Sequence, residues 1–135
     1  MNSILYFPVG QYAKILRVDD ETLKRVFETK GEPELPFPDN VLLLRTHDES
    51  KPFNRILLDG LRPVAVVHGE CVLLGVFDGE PTGLTDRQIA KYLLTNKNPT
   101  GIIKIGNNIS VFPYKPIISK EGNKNEEQGA PSEQN

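Results

Sequence analysis

The sequence predicts a strand-rich α+β fold with mixed and antiparallel strand pairing, two short helices and a polar C-terminal tail. Three observations lead to this expectation. Short apolar runs of strand length recur between turns that contain glycine and proline. Two longer segments place apolar residues at helical spacing. The length of 135 residues is typical of one domain, and we expect residues 1–119 to form it.

The N-terminal part predicts a strand, a helix and an extended loop. Residues 12–18 alternate in polarity and are rich in strand formers, whereas residues 19–30 show helical spacing. Acidic residues at the start of this helix match the positive end of its dipole, and Gly31 follows as a stop signal. Three prolines within residues 32–39 oppose regular pairing, so we expect a polyproline-like connection there.

The middle of the chain predicts the centre of a sheet. After two short apolar runs, residues 64–67 and 71–77 form two further runs around His68, Gly69 and Glu70. We expect these two segments to pair as a hairpin with Gly69 in its turn. Because both are apolar at successive positions, we expect them to be central strands that are covered on both faces. Gly75 inside the second run indicates a bulge or a close approach of another backbone.

The C-terminal part predicts a second helix and a closing hairpin. Thr85 is a suitable cap for a helix over residues 85–95, and Gln88 follows it at capping-box spacing. Two predicted strands within residues 101–114 are joined at Gly106, in a sequence that favours a tight hairpin turn. The expected apolar face of the helix consists of Ile89, Ala90, Leu93 and Leu94.

Charge and cysteine content exclude several classes of protein. The chain has 16 basic and 18 acidic residues, and its net charge of −2 lies entirely after Ser119, so residues 1–119 balance at zero. Nucleic-acid binders usually carry a basic excess, which leaves room here only for a local patch. The single cysteine, Cys71, allows neither an internal disulfide nor a zinc-thiolate cluster. Residues 120–135 hold one aliphatic side chain, and we expect a disordered tail.

No motif in the sequence predicts catalysis, a metal site or a cofactor. His68 lies beside Cys71, but no further metal ligand follows at a recognisable spacing. Neither a phosphate-binding GxxxxGK[ST] segment nor the local context of a catalytic serine occurs. An enzyme therefore ranks third among the hypotheses. The N-terminus has no basic start followed by an apolar run, and no segment has the length needed to span a bilayer, so we expect a cytoplasmic protein without membrane contact.

Residues 59–114 resemble a PUA or PUA-like RNA-binding domain. A glycine turn at Asp59-Gly60, the strand sequence PVAVV, the strand sequence VLLGVF, a short helix and the sequence TGIIKI follow one another in the order of that family. The resemblance implies a small pseudo-barrel. It also implies a free-standing, non-catalytic RNA-binding module in RNA processing or ribosome assembly.

If the chain binds RNA, we expect basic and aromatic side chains within residues 59–114 to make the contacts. Cations would contact phosphates, and aromatic rings would stack on unpaired bases. The candidates are Arg62, Arg87, Lys91, Tyr92, Lys97, Lys104 and Tyr114. A second candidate is an anion site at the start of the second helix, where free backbone amides and the helix dipole favour a phosphate. This loop consists of Gly79, Thr82, Gly83 and Thr85, and it is opposed by carboxylates at Asp78, Glu80 and Asp86.

The alternative hypothesis is a protein-interaction subunit or adaptor that does not contact nucleic acid. A neutral body with an acidic, polar tail suits this function equally well. Its contact sites would be apolar strand edges or the loop at residues 35–38. The partner is then a protein in a larger complex rather than RNA. A continuous positive groove on the folded chain would favour RNA, and its absence would favour a protein.

Overall fold

The structure is a computed structural model that describes residues 1–29 and 31–116. The predicted tail, residues 120–135, lies outside the described residues. The strands are β1 (Asn2–Phe7), β2 (Lys14–Val18), β3 (Glu32–Glu34), β4 (Val41–Arg45), β5 (Phe53–Asp59), β6 (Arg62–His68), β7 (Cys71–Phe77), β8 (Glu80–Thr82), β9 (Thr100–Ile105) and β10 (Asn108–Pro113). The helices are α1 (Asp20–Thr29) and α2 (Asp86–Asn96).

A six-stranded antiparallel sheet forms the centre of the fold. Its strand order is β2-β1-β7-β4-β3, and β8 pairs with the C-terminal end of β7. Leu73 of β7 lies between Leu5 of β1 and Leu43 of β4 in the register. Residues 71–75 of β7 are all buried. The prediction that this strand is central is therefore confirmed.

Both faces of the central sheet are covered by apolar layers. Leu23 of α1 packs with Leu42, Leu44 and neighbouring side chains on one face. The β5–β6 pair and α2 cover the other face, where Leu57 and Tyr92 are fully buried. Strands in such a position need apolar residues at successive positions, which explains the continuous apolar runs of β4 and β7.

The strand-rich α+β class and the antiparallel pairing are confirmed. Within the described residues the strands form the six-stranded sheet and two separate pairs, β5–β6 and β9–β10. These strands do not close into a barrel. The pseudo-barrel expected from the resemblance is therefore not confirmed.

The turn at Gly69 does not close the predicted hairpin. β6 pairs with β5, whereas β7 pairs with β1 and β4, so the turn carries the chain from one sheet to another. The N–H of Gly69 donates to the carbonyl of Pro52 at 2.7 Å, and its φ of 76° is readily adopted by glycine. One face of β6 stays open, and Val66 is 54% exposed there. The expectation that β6 is covered on both faces is wrong.

Two segments expected to be loops form short edge strands. β3 pairs with β4 even though it contains Pro33, which is tolerated because no strand lies on the outer side of β3 in the described chain. β8 pairs with β7 through a turn at Asp78 and Gly79. Their φ values of 54° and 78° are those of a type I′ hairpin turn, which Asp-Gly favours.

Both predicted helices are present, but α2 buries a different face from the expected one. Its capping box forms as predicted, since the Thr85 hydroxyl accepts from the Gln88 N–H at 3.1 Å and the Gln88 side chain accepts from the Thr85 N–H at 2.9 Å. The buried residues are Ile89, Tyr92 and Asn96, and Leu93 is half-buried. Ala90 and Leu94 face outward. The helix therefore packs along the i, i+3, i+4 and i+7 positions counted from Ile89, which excludes Ala90 and Leu94.

Candidate protein-interaction surface

The outer edge of β5 is satisfied by side chains instead of by another strand. Oδ1 of Asn96 accepts from the Leu58 N–H at 2.7 Å, and Nδ2 of Asn96 donates to the Leu58 carbonyl at 3.0 Å. The hydroxyl of Thr100 accepts from the Ile56 N–H at 3.2 Å. The end of α2 and the start of β9 are thereby fixed against this edge. Little unsatisfied backbone remains along this part of β5.

A groove of about 610 Å³ opens beside the same edge. Its floor is the outer face of the β5–β6 pair, and its walls are the end of α2 and the base of the β9–β10 hairpin. Of the described residues that line it, Lys97 alone is charged. The apolar side chains that line it include Ile56, Leu58, Leu61, Leu94, Val111 and Phe112. Leu61 is 96% exposed and Leu94 is 85% exposed, so both are accessible to a partner.

The β9–β10 hairpin exposes apolar side chains on both of its faces. The two strands pair with each other and with no other strand of the described chain. The register puts Ile102 opposite Val111 on one face and Ile103 opposite Ser110 on the other. The exposed apolar residues are Ile102, Ile103, Ile105, Ile109, Val111 and Phe112. We call the groove together with this hairpin the apolar surface.

The basic residues chosen from the sequence do not form one continuous patch. Arg62 lies 3.2 Å from one carboxylate oxygen of Asp59, and Lys91 lies 3.7 Å from the other. Arg87 is exposed one turn before Lys91 on α2. Asp59 thus brings Arg62 and Lys91 together but offsets much of their charge. The groove between this cluster and the hairpin is mainly apolar, and Lys97 is the single cation among the described residues that line it.

The remaining RNA candidates are dispersed around the groove. The Lys97 ammonium lies 5.2 Å from the ring centroid of Tyr12, and Lys104 is exposed on the hairpin. Tyr114 is half-buried, with its ring centroid 6.4 Å from that of Phe112. Tyr92 is fully buried, edge-on to Phe37 at 4.6 Å between ring centroids. The expectation that Tyr92 stacks on a base is wrong, because its ring is enclosed in the hydrophobic core beneath α2.

The predicted anion-binding loop is divided among three elements. Gly79 lies in the β7–β8 turn and Thr82 at the end of β8, so the strand separates Gly79 from the start of α2. A Cβ at Gly83 would meet the backbone of Ser3 at 3.0 Å. The Thr85 hydroxyl is used in the capping box. The four residues therefore do not share a single loop at the helix start, because the short strand β8 lies between them.

The described residues were compared with the requirements of a metal site and of a membrane-spanning helix. The residues that the structure describes contain no group of three or more His, Cys, Asp or Glu side chains suited to hold a metal ion. None of their helices combines the length and apolar character that crossing a membrane requires. His68, the histidine nearest Cys71 in sequence, places Nδ1 3.0 Å from the carbonyl of Lys51.

Sequence reasoning missed the apolar surface for an identifiable reason. The sequence pattern predicts residues 64–67 as a strand covered on both faces, but the outer face of β6 is open. Leu61 lies in the turn between β5 and β6, and Leu94 belongs to the face of α2 that the sequence predicts to be buried. The two-residue turn at Gly60-Leu61, directly before β6, was the available signal that β6 has β5 as its neighbour.

Comparisons of the chain with protein-family models, with curated proteins and with solved structures give no match. The resemblance of residues 59–114 to PUA domains gains no support from them. Inference about function therefore has to start from the geometry of the apolar surface.

Proposed function

We propose that this chain is a non-catalytic protein-interaction subunit and that the apolar surface is its contact site. The observation that carries this proposal is the exposure of six large apolar side chains on the β9–β10 hairpin beside an apolar groove. Soluble monomers seldom expose contiguous apolar patches larger than a few hundred Å² unless another molecule covers them. An isolated two-stranded hairpin is also at best marginally stable in water. A partner that covers the hairpin would supply the missing packing.

The chemistry of the groove favours a protein as the partner. The Leu58 amide and carbonyl are already paired with Asn96, and the Ile56 amide is paired with Thr100. Along this edge of β5 the groove therefore offers a polar ligand few free backbone hydrogen-bonding groups. Apolar side chains of another polypeptide would fill it without leaving polar atoms unsatisfied.

RNA binding stays a prediction of the sequence with weaker support. A phosphate at Arg62 or Lys91 would have to compete with the Asp59 carboxylate that already contacts both side chains. Tyr92 is enclosed in the core, which leaves Tyr114 as the aromatic candidate with partial exposure. Because residues 1–29 and 31–116 present neither an aromatic platform nor a continuous positive groove, we expect affinity for RNA of the nonspecific kind.

The proposal is tested by capture from nuclease-treated extract with the tagged full chain as bait. Retained proteins are identified by mass spectrometry, including untagged copies of the chain itself. The Leu94→Lys variant places a charge in the groove wall and should lose retained proteins, because an exposed leucine can be replaced without unfolding the helix. Ala90→Lys is the matched control, since Ala90 is exposed one turn earlier and does not line the groove. This control should retain the same proteins as the wild type.

A parallel titration with labelled structured and single-stranded RNA tests the alternative function. The proposal expects an RNA affinity no tighter than the range of about 10⁻⁴ to 10⁻⁶ M typical of nonspecific binding at physiological salt. Tighter RNA binding that is abolished by the Arg87→Glu/Lys91→Glu double variant would overturn the proposal in favour of RNA. Equal capture by wild type and Leu94→Lys would also contradict it.

A further inference from the structure

We propose that the partner of the β9–β10 hairpin is a second copy of this chain, paired antiparallel along the free edge of β10 and centred on Val111. The inference rests on the proposed function and names the partner. The result would be a four-stranded sheet in the order β9-β10-β10-β9 across a two-fold axis. The following observations on β10 support a second copy as the occupant.

The free edge of β10 has a backbone pattern suited to pairing with itself. The two-residue turn at Gly106 and Asn107 makes Ile105 and Asn108 a hydrogen-bonded pair, and the pattern alternates from there. The polar groups of Ile109, Val111 and Pro113 therefore point away from β9. In a pairing centred on Val111, the two copies exchange bonds at that residue, and the Ile109 N–H of each reaches the Pro113 carbonyl of the other. Pro113 has no N–H to donate, but it lies at the end of this ladder, so only a terminal hydrogen bond is missing.

The side chains of β10 also tolerate self-pairing. The strand sequence NISVFP contains no charged residue, so no like charges meet when two copies align. Sheet edges that stay unpaired are commonly protected by charged side chains. The edge strands β2, β6 and β9 carry the charged residues Lys14 and Arg17, Arg62, and Lys104, whereas β10 carries none. The charge balance of residues 1–119 adds no net repulsion between copies.

The groove supplies the rest of the contact area. A stable interface takes about 800 Å² from each partner, which a strand edge of six residues does not provide by itself. The same register places Ile109 of one copy beside Pro113 of the other, and Pro113 lines the groove. Ile109 is 65% exposed in the single chain and would be covered there. Ile109 of each copy therefore meets the apolar groove of the other copy at Pro113.

The C-terminal residues 117–135 offer a poorer occupant for this surface. Residues 117–135 contain two large aliphatic side chains, Ile117 and Ile118, which directly follow Pro116. The hairpin alone exposes six large apolar side chains. Two aliphatic side chains are too few to cover both the six exposed side chains of the hairpin and the groove.

The first test measures the mass of the full chain by sedimentation equilibrium over a wide range of protein concentration. The wild type should show twice the chain mass of 15.1 kDa at high concentration. Val111→Pro should remain at the single-chain mass, because proline removes an N–H that points out of the hairpin and is not used within it. Ile102→Pro is the matched control, since Ile102 lies directly opposite Val111 and its N–H points to the other edge of the hairpin. This variant should still dimerise.

The second test uses disulfide trapping of the full chain under mild oxidation. The two Val111 residues would face each other across the two-fold axis at a Cα separation of about 5.5 Å, which a disulfide can bridge. Val111→Cys should therefore form a covalent dimer, whereas Ile102→Cys should remain a single chain. Cys71 is buried and does not compete for cross-linking.

Each result decides between the second copy and another partner. A single-chain mass for the wild type together with no cross-linking by Val111→Cys would overturn the second-copy inference. If Leu94→Lys still lost proteins captured by the wild type, the proposed function would stand with a different partner. If both Val111→Pro and Ile102→Pro showed the single-chain mass, pairing along the β10 edge would also be overturned. Dimerisation would then be equally sensitive to a proline on the β9 edge and on the β10 edge.

Discussion

Asn54 and Arg55 are neighbours on β5, yet both point their side chains into the protein, where Nε of Arg55 donates to Oδ1 of Asn54 at 2.9 Å. Both residues are fully buried. Successive residues of a regular strand face opposite sides, but the register shifts between Phe53 and Arg55. A bulge at this point turns both side chains to the same face.

The Arg55 guanidinium holds together segments that are distant in sequence. It donates to the carbonyls of Pro8 and Gln11 in the loop after β1 and to those of Asn96 and Lys97 at the end of α2. Burial lowers the pKa of Arg55 to about 10, so the group remains a cation at neutral pH. Its position fixes the end of α2, which forms one wall of the groove.

Replacement of Arg55 should strongly destabilise the fold. Arg55→Lys keeps the charge but has three donors for the five oxygen atoms that the guanidinium now contacts. We expect a loss of about 3 kcal/mol in the free energy of unfolding, because buried carbonyls are left unsatisfied. Urea titration measures it, with the exposed Arg62→Lys as control at a change within about 0.5 kcal/mol. A loss below about 1 kcal/mol for Arg55→Lys would contradict the structural role of this network.

Local patterns in the sequence predicted the elements that local forces determine. The capping box at Thr85, the hairpin at Gly106 and the apolar run of β7 all depend on residues within a few positions of one another. Strand partners depend on the whole chain, and for that reason the pairing of β6 with β7 was predicted wrongly. The bulge at Asn54 was also beyond the reach of pattern analysis, because it reverses the alternation on which such analysis depends.

The same distinction applies to the candidate site. The sequence named basic residues by type, but whether a nearby carboxylate offsets them depends on tertiary contacts such as those of Asp59. The alternative hypothesis, which named apolar strand edges as contact sites, agrees better with the observed apolar surface. Their position on β9 and β10 was hidden because an apolar strand has the same sequence pattern in a core and at an interface.

Gly75 should not tolerate a side chain. It lies opposite Thr82 in the β7–β8 ladder, and a Cβ there would come 2.7 Å from the carbonyl oxygen of Gly83, which confirms the close approach predicted from the sequence. The neighbour is backbone and cannot move aside cheaply. We expect Gly75→Ala to cost about 1–3 kcal/mol in a denaturant titration. A stability equal to that of the wild type would show that β8 moves away freely.

Glu34 should make the stability of the β3–β4 edge depend on pH. Partial burial by itself would raise the pKa of Glu34, but Arg45, whose Nε donates to the carboxylate at 2.7 Å, and His47 at 2.8 Å outweigh it and hold the pKa below its ordinary value. A lowered pKa in the folded state contributes stability above the unfolded pKa of about 4.3, and this is lost as pH falls through the folded value.

The Glu34→Gln variant tests this dependence. We expect a loss of about 1 kcal/mol or less at pH 7, because the pair is partly exposed to solvent. The difference from the wild type should shrink as the pH falls below about 4. The exposed Glu49→Gln variant serves as control for the loss of one surface carboxylate and should change the stability at pH 7 by no more than about 0.5 kcal/mol. A constant difference between pH 7 and pH 3 would assign the effect to packing instead of charge.

Cys71 should be chemically inert while the chain is folded. It begins β7 inside the core, 2% exposed, and burial raises the pKa of its thiol to about 12. Only the thiolate reacts with disulfide reagents, so at pH 8 both the small thiolate fraction and the lack of access oppose labelling. The native protein should therefore show almost no reaction with a chromogenic disulfide reagent, whereas the chain in urea should release one equivalent of chromophore. Rapid native labelling would mean that β7 opens readily at its start, next to Phe7 of β1. It would also remove the basis for reading a disulfide dimer of Val111→Cys as a contact between hairpins.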